Sequence, residues 1–117
     1  MILITKTFQK TLKKLKSVSI WDIQKEISKH NVWLKNFIEL WDIDGRKILK
    51  WYLNAKKVRL IVSFTEYNWQ YFPFYIVRKE TKQGYNISKQ SLSFLLQEML
   101  KHTEDMKKWN FEKMKLK

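Results

Sequence analysis

KILKWYLNAKKVRLIVSF, residues 47–64, alternates apolar and polar side chains twice over, with a polar interruption between the two runs. Successive side chains of a strand point to opposite faces. Leu49, Trp51 and Leu53 therefore share one face, and Ile48, Lys50 and Tyr52 the other. In the second run Val58, Leu60, Val62 and Phe64 lie together, opposite Arg59, Ile61 and Ser63. Asn54-Ala-Lys-Lys57 is a hairpin connection. Asp42-Ile-Asp44-Gly45 marks a turn before the pair, and a loop through Glu66, Asn68 and Trp69 leads out of it. A third strand follows over Phe72–Lys79. Pro73 cannot donate to a ladder, so this strand is expected at a sheet edge or from just after Pro73. Alternation sends Phe72, Phe74 and Ile76 inward, and Tyr75, Val77 and Lys79 outward. Gln83-Gly84 is a further turn.

Upstream, Met1–Thr5 reads as a short apolar strand. Phe8, Leu12 and Leu15 then recur at helical spacing among Lys10, Lys13, Lys14 and Lys16, a solvated helix face. Ser19 followed by Asp22 has the form of a capping box, opening a helix with Ile20, Ile23 and Ile27 on one side. Residues 32–43 have no clean period and are expected to be a helical or irregular connection. Downstream, Leu92, Leu95, Leu96, Met99 and Leu100 describe an amphipathic helix. Residues 101–117, with Trp109, Phe111, Met114 and Leu116 among lysines, are expected to add a helical C-terminal extension. With two glycines and one proline there is little room for a linker. The whole of 1–117 is expected to be a single α+β domain: an N-terminal strand, two helices, an antiparallel sheet of three further strands, and a C-terminal helix.

Charge narrows the partner. Twenty-four Lys and Arg face eleven Asp and Glu, a formal net charge of +13. Residues 45–87 hold nine basic and two acidic side chains, net +7, so over half the excess falls on the expected sheet. A polyanion, nucleic acid first, is the natural partner of such a chain. Cysteine is absent, and His30 and His102 lie far apart, so neither a metal site nor a thiol nucleophile is expected. No apolar run approaches the ~20 residues of a membrane span. Met1-Ile-Leu-Ile is too short for a signal peptide. A cytoplasmic protein without cofactor or membrane partner is expected. Both histidines are read as structural or exposed, and most tryptophans as packing.

If both runs of the opening stretch pack their apolar side on helices, Lys50, Tyr52, Arg59, Tyr75, Lys79 and Tyr85 form a basic, aromatic sheet face. Such a face suits single-stranded RNA. Lysine and arginine neutralise phosphates, and each ring stacked on a base is worth ~1–3 kcal/mol. Cleavage asks for more: an activated 2′-hydroxyl, a stabilised pentavalent phosphate and a protonated 5′-oxygen. Lysine or tyrosine in a cationic field can move the proton, and arginine can hold the charge.

Lys50, Val58-Arg59-Leu60-Ile61-Val62 and Arg78-Lys79…Tyr85, in this element order, resemble the RelE/ParE toxin superfamily over roughly residues 1–100. The resemblance implies a RelE-like fold and a toxin neutralised by a cognate antitoxin. It also implies metal-independent endonucleolytic cleavage of mRNA, commonly on the ribosome. In those terms Lys50 is the base, Arg59 the transition-state stabiliser, Lys79 or Arg78 the phosphate clamp or acid, and Tyr85 the stacking or orienting group. Lys47, Tyr52, Tyr75, Arg78 and Lys82 are the accompanying RNA-binding side chains. Three departures stand out: Tyr52 occupies the place of a second lysine, Lys79 that of an arginine, and the C-terminal extension is long. Two other readings compete, a ParE-like inhibitor of DNA gyrase without nuclease activity and a non-catalytic RNA-binding module.

Overall fold

The computed structural model describes residues 1–30, 37–43, 45–53, 57–78 and 92–116. It is mixed α+β, built on one six-stranded sheet. In chain order the elements are β1 (Ile2–Thr5), α1 (Lys6–Leu15), α2 (Ile20–His30), β2 (Phe37–Ile43), β3 (Arg46–Leu53) and β4 (Val58–Thr65). A short 3-10 turn (Glu66–Asn68) leads to β5 (Gln70–Arg78), then α3 (Leu92–Leu100), α4 (Thr103–Lys107) and β6 (Phe111–Met114). The strands lie in the order β2-β3-β4-β5-β1-β6. Neighbours are antiparallel, apart from β1, which runs parallel to β5.

The opening stretch forms the hairpin its alternation predicts, with Leu53 opposite Val58 and Leu49 opposite Val62. Leu49, Trp51, Leu53, Val58, Leu60, Val62 and Phe64 are all buried on one face, beneath Phe8 and Leu12 of α1 and Ile23 and Ile27 of α2. Both helices have their caps. The Thr5 hydroxyl oxygen accepts the Phe8 N–H at 3.1 Å. Ser19 and Asp22 make the reciprocal box: the Asp22 carboxylate accepts the Ser19 N–H at 2.8 Å, and the Ser19 hydroxyl oxygen accepts the Asp22 N–H at 3.2 Å.

Several expectations fail. Residues 37–43 are a strand, paired along β3, where a helical or irregular connection was expected. β5 starts before Pro73 and runs through it, between β4 and β1. The register slips by one residue there, with Val62 opposite Pro73 and Ile61 opposite Tyr75, so Phe74 is an inserted residue. A bulge of this kind accommodates a residue that cannot donate to the ladder. The C-terminal segment is not helical throughout. α4 ends at Lys107, Trp109 adopts a left-handed φ of 59°, and the chain then pairs antiparallel with β1. Met114 and Leu116, two residues apart, pack on the main core at strand spacing. That pairing covers the free side of β1, whose Ile2, Leu3 and Ile4 are all buried.

The two bulges reshape the second sheet face. Leu40 is inserted between Glu39 and Trp41 as Phe74 is between Pro73 and Tyr75. Each insertion puts two consecutive apolar residues, Leu40 with Trp41 and Phe74 with Tyr75, on the side away from α1 and α2. Phe72 joins them, so Phe72 and Phe74 lie opposite to the expected side, while Ile76 does face the main core, alongside Tyr71. The result is a second core, in which Leu40, Ile48, Ile61 and Phe74 are sealed by Leu95, Phe94 and Met99 of α3. His102, between α3 and α4, fastens this layer. Its Nε2 donates to the Phe74 carbonyl at 2.9 Å, and its Nδ1 lies 2.6 Å from the Thr5 hydroxyl.

Candidate nucleic-acid interface

α3 covers only part of the second face. Towards the β3–β4 hairpin end, Lys50, Tyr52 and Arg59 project from that face, as alternation requires. Tyr52 and Arg59 are direct partners across the two strands. The Arg59 Cζ lies 4.4 Å from the centroid of the Tyr52 ring, and the Lys50 Nζ 5.4 Å from the same centroid. Two cations thus address one ring, each contact worth ~0.5–1 kcal/mol at an exposed site. All three side chains are half-buried. Ile38 of β2 stands opposite Lys50 and is 46% exposed, an apolar shoulder beside the cations. Ile61, fully buried, flanks Lys50 on the other side, and Val77 stands opposite Arg59.

The other sequence-derived candidates are scattered. Tyr75 shares the face but lies under α3, with the Phe94 ring edge-on at 5.3 Å. Burial, with the Glu98 carboxylate adding to it, pushes the Tyr75 phenol up to about 12, so it stays protonated and serves as packing. Lys47 falls on the opposite face, 3.4 Å from Glu39 and 3.5 Å from Glu66. Burial works against its charge, but the two carboxylates together hold its pKa above the usual lysine value. Arg78 is also on the helix side, where its guanidinium donates to the Leu15 carbonyl at 2.9 Å. Lys79, Lys82 and Tyr85 lie outside the described residues. The structure therefore brings together Lys50, Tyr52 and Arg59, with Tyr75 adjacent but covered.

Neither histidine belongs to this patch. His30 is buried in the main core, ringed by Phe37, Trp51, Phe64 and Tyr71 and bonded to the Tyr71 hydroxyl at 2.5 Å. His102 is held by Thr5 and Phe74. Ile38 and the α3 wall were not anticipated. The signal for α3 was the amphipathic 92–100 pattern itself, which needs an apolar face to cover; Ile38 was masked by the aperiodic run around it. Chemically, the patch offers two cations for phosphates, an aromatic face for a base and one phenol. Compared with family models, curated proteins and solved structures, the chain matches none.

Proposed function

We propose that the chain binds single-stranded RNA across the Lys50–Tyr52–Arg59 end of its sheet and cuts it, as the RelE-like ribonuclease toxin of a toxin–antitoxin pair. The observation that carries this reading is the convergence of two cations on one tyrosine ring in a sheet face otherwise closed by α3. A nucleotide at this place has its phosphate met by Arg59 and Lys50 and its base beside Tyr52. In the proposed cleavage Lys50 takes the proton of the 2′-hydroxyl, which attacks the adjacent phosphorus. Arg59 holds the charge of the pentavalent phosphate. The departing 5′-oxygen is protonated by Lys79, with Tyr85 orienting the nucleotide, and no metal is needed; Arg78, on the helix side, takes no part. The substrate is mRNA, read on the ribosome, in the cytoplasm, and the neutralising partner is an antitoxin protein. β1, α1, α2, β3, β4, β5 and α3 support the RelE-like assignment by their order; β2, α4 and β6 are additions outside it.

A non-catalytic RNA-binding module is the second reading. It is favoured by the commitment of Lys47 to two carboxylates and of Arg78 to the Leu15 carbonyl, both away from the patch. The test is to induce wild type and an Arg59→Ala/Tyr85→Ala variant in cells and map mRNA ends by sequencing. New ends with wild type alone support the nuclease. Growth arrest with intact messages replaces it with a gyrase-directed, ParE-like action. Absence of both leaves RNA binding without cleavage.

A further inference from the structure

A second surface, on the opposite side of the molecule, has a different chemistry. α1 ends at Leu15, and Lys16 turns the chain with a left-handed φ of 63°, its N–H donating to the Leu12 carbonyl. The chain returns through Val18 and Ser19 into α2. Between the two helices lies an open cleft of about 350 Å³, at the small end of the ~300–1,000 Å³ of ligand-binding clefts. Its floor is apolar, made by Leu12, Val18 and Ile20, and Lys13 and Lys16 stand at its rim. Next to Ile20 in the chain, Trp21 is 64% exposed.

The electrostatics around the cleft are one-sided. Residues 1–21 carry five lysines and no acidic residue. Neither Lys13 nor Lys16 enters an ion pair among the described residues. Asp22, which follows, is committed to the N–H and hydroxyl of Ser19. A purely apolar ligand would leave the rim cations unused, and a phosphate backbone would leave the apolar floor empty. A segment carrying carboxylates on one side and bulky aliphatic side chains on the other satisfies both. We propose that the α1–α2 cleft docks an acidic amphipathic protein segment, one or two aliphatic side chains entering over Leu12, Val18 and Ile20 while carboxylates pair with Lys13 and Lys16. The inference stands independently of the RNA reading, since the two surfaces lie on opposite sides of the sheet.

The test is an NMR titration of the full chain with a synthetic helical peptide that has leucines along one face and glutamates elsewhere. A control peptide has serine in place of each leucine. Lys13→Gln/Lys16→Gly serves as the neutralised variant; glycine suits the left-handed position, so the fold is retained. Expected are shifts of the Leu12, Val18 and Ile20 methyl signals with the leucine peptide. Binding should weaken by about tenfold in the variant, the size expected of two solvent-exposed ion pairs. Equal binding of the serine control, shifts at Tyr52 and Arg59 in place of the cleft, or no binding at millimolar peptide would each overturn the proposal. A parallel titration with a single-stranded oligoribonucleotide separates the two surfaces. Failure to shift Tyr52 and Arg59 there removes the RNA reading and leaves the cleft result intact.

Discussion

Acidification should loosen this fold well above the pH at which ordinary carboxylates titrate. His30 is 2% exposed and His102 3%. The carbonyl of Phe74 can only accept, so His102 carries its proton on Nε2, and the neutral ring takes the Thr5 hydroxyl hydrogen on Nδ1. The Thr5 oxygen in turn accepts the Phe8 N–H. Burial holds His102 below its ordinary value, against the opposing pull of the Phe74 carbonyl, Asp105 and Glu98. Burial, joined by Lys47, does the same for His30, and Glu39 and Glu66 oppose. The unfolded chain binds protons at both rings near pH 6.5, whereas the folded chain takes them up only at lower pH. Over that window the unfolded state holds more protons, so stability falls as pH falls. Each ring contributes up to about 1.36 kcal/mol per pH unit, and the pair up to about 2.7. Urea unfolding followed by tryptophan fluorescence at pH 7.5, 6.5 and 5.5 measures this. His102→Gln keeps a donor for the Phe74 carbonyl and removes one titration, so its slope should be about half that of wild type. Equal stability at pH 7.5 and 5.5, or ring signals titrating near 6.5 in the folded protein, would refute the argument.

Tyr52→Ala should weaken binding of a single-stranded oligoribonucleotide by about 1–3 kcal/mol if the ring stacks on a base, while Tyr52→Phe should keep most of the affinity; fluorescence anisotropy at fixed salt distinguishes them. Lys16→Gly should stabilise the protein by about 0.5–1 kcal/mol in urea unfolding, because a side chain at a left-handed φ carries a steric cost that glycine does not. Met114→Asp places a charge against the main core where β6 covers β1 and should cost at least ~2 kcal/mol, read as a lowered urea midpoint.

Strands β3 and β4 could be read from their residues because neither alternation is interrupted within the pair, and their direct register carries Lys50, Tyr52 and Arg59 to one place. β2 and β5 each contain an inserted residue, and one insertion reverses the parity of everything beyond it. Tyr75 kept its expected side only because the shift at Phe74 restored the phase that the start at Gln70 had set the other way. That is also why the second core stayed hidden: Leu40–Trp41 and Phe74–Tyr75 look like breaks in a pattern and are in fact a seat for α3. Lys47 and Arg78 lie on the helix side by the same parity that places Leu49 and Ile76 there. β6 has four residues and gains its stability from β1, more than a hundred positions away, a pairing that no local pattern announces.

That distant pairing bears on how the molecule is made. Ribosomes deliver a chain from its N-terminal side, so Ile2, Leu3 and Ile4 emerge well before the strands that cover them. β5 reaches β1 only after some seventy residues, and β6 only after more than a hundred. Until β5 is made β1 is an apolar strand with both edges open, and until β6 is made one edge stays open, the kind of segment that joins other chains or engages chaperones. A message broken before the codons for Phe111–Met114 would yield a product whose first strand stays uncovered on one side, prone to aggregation and to proteolytic clearance.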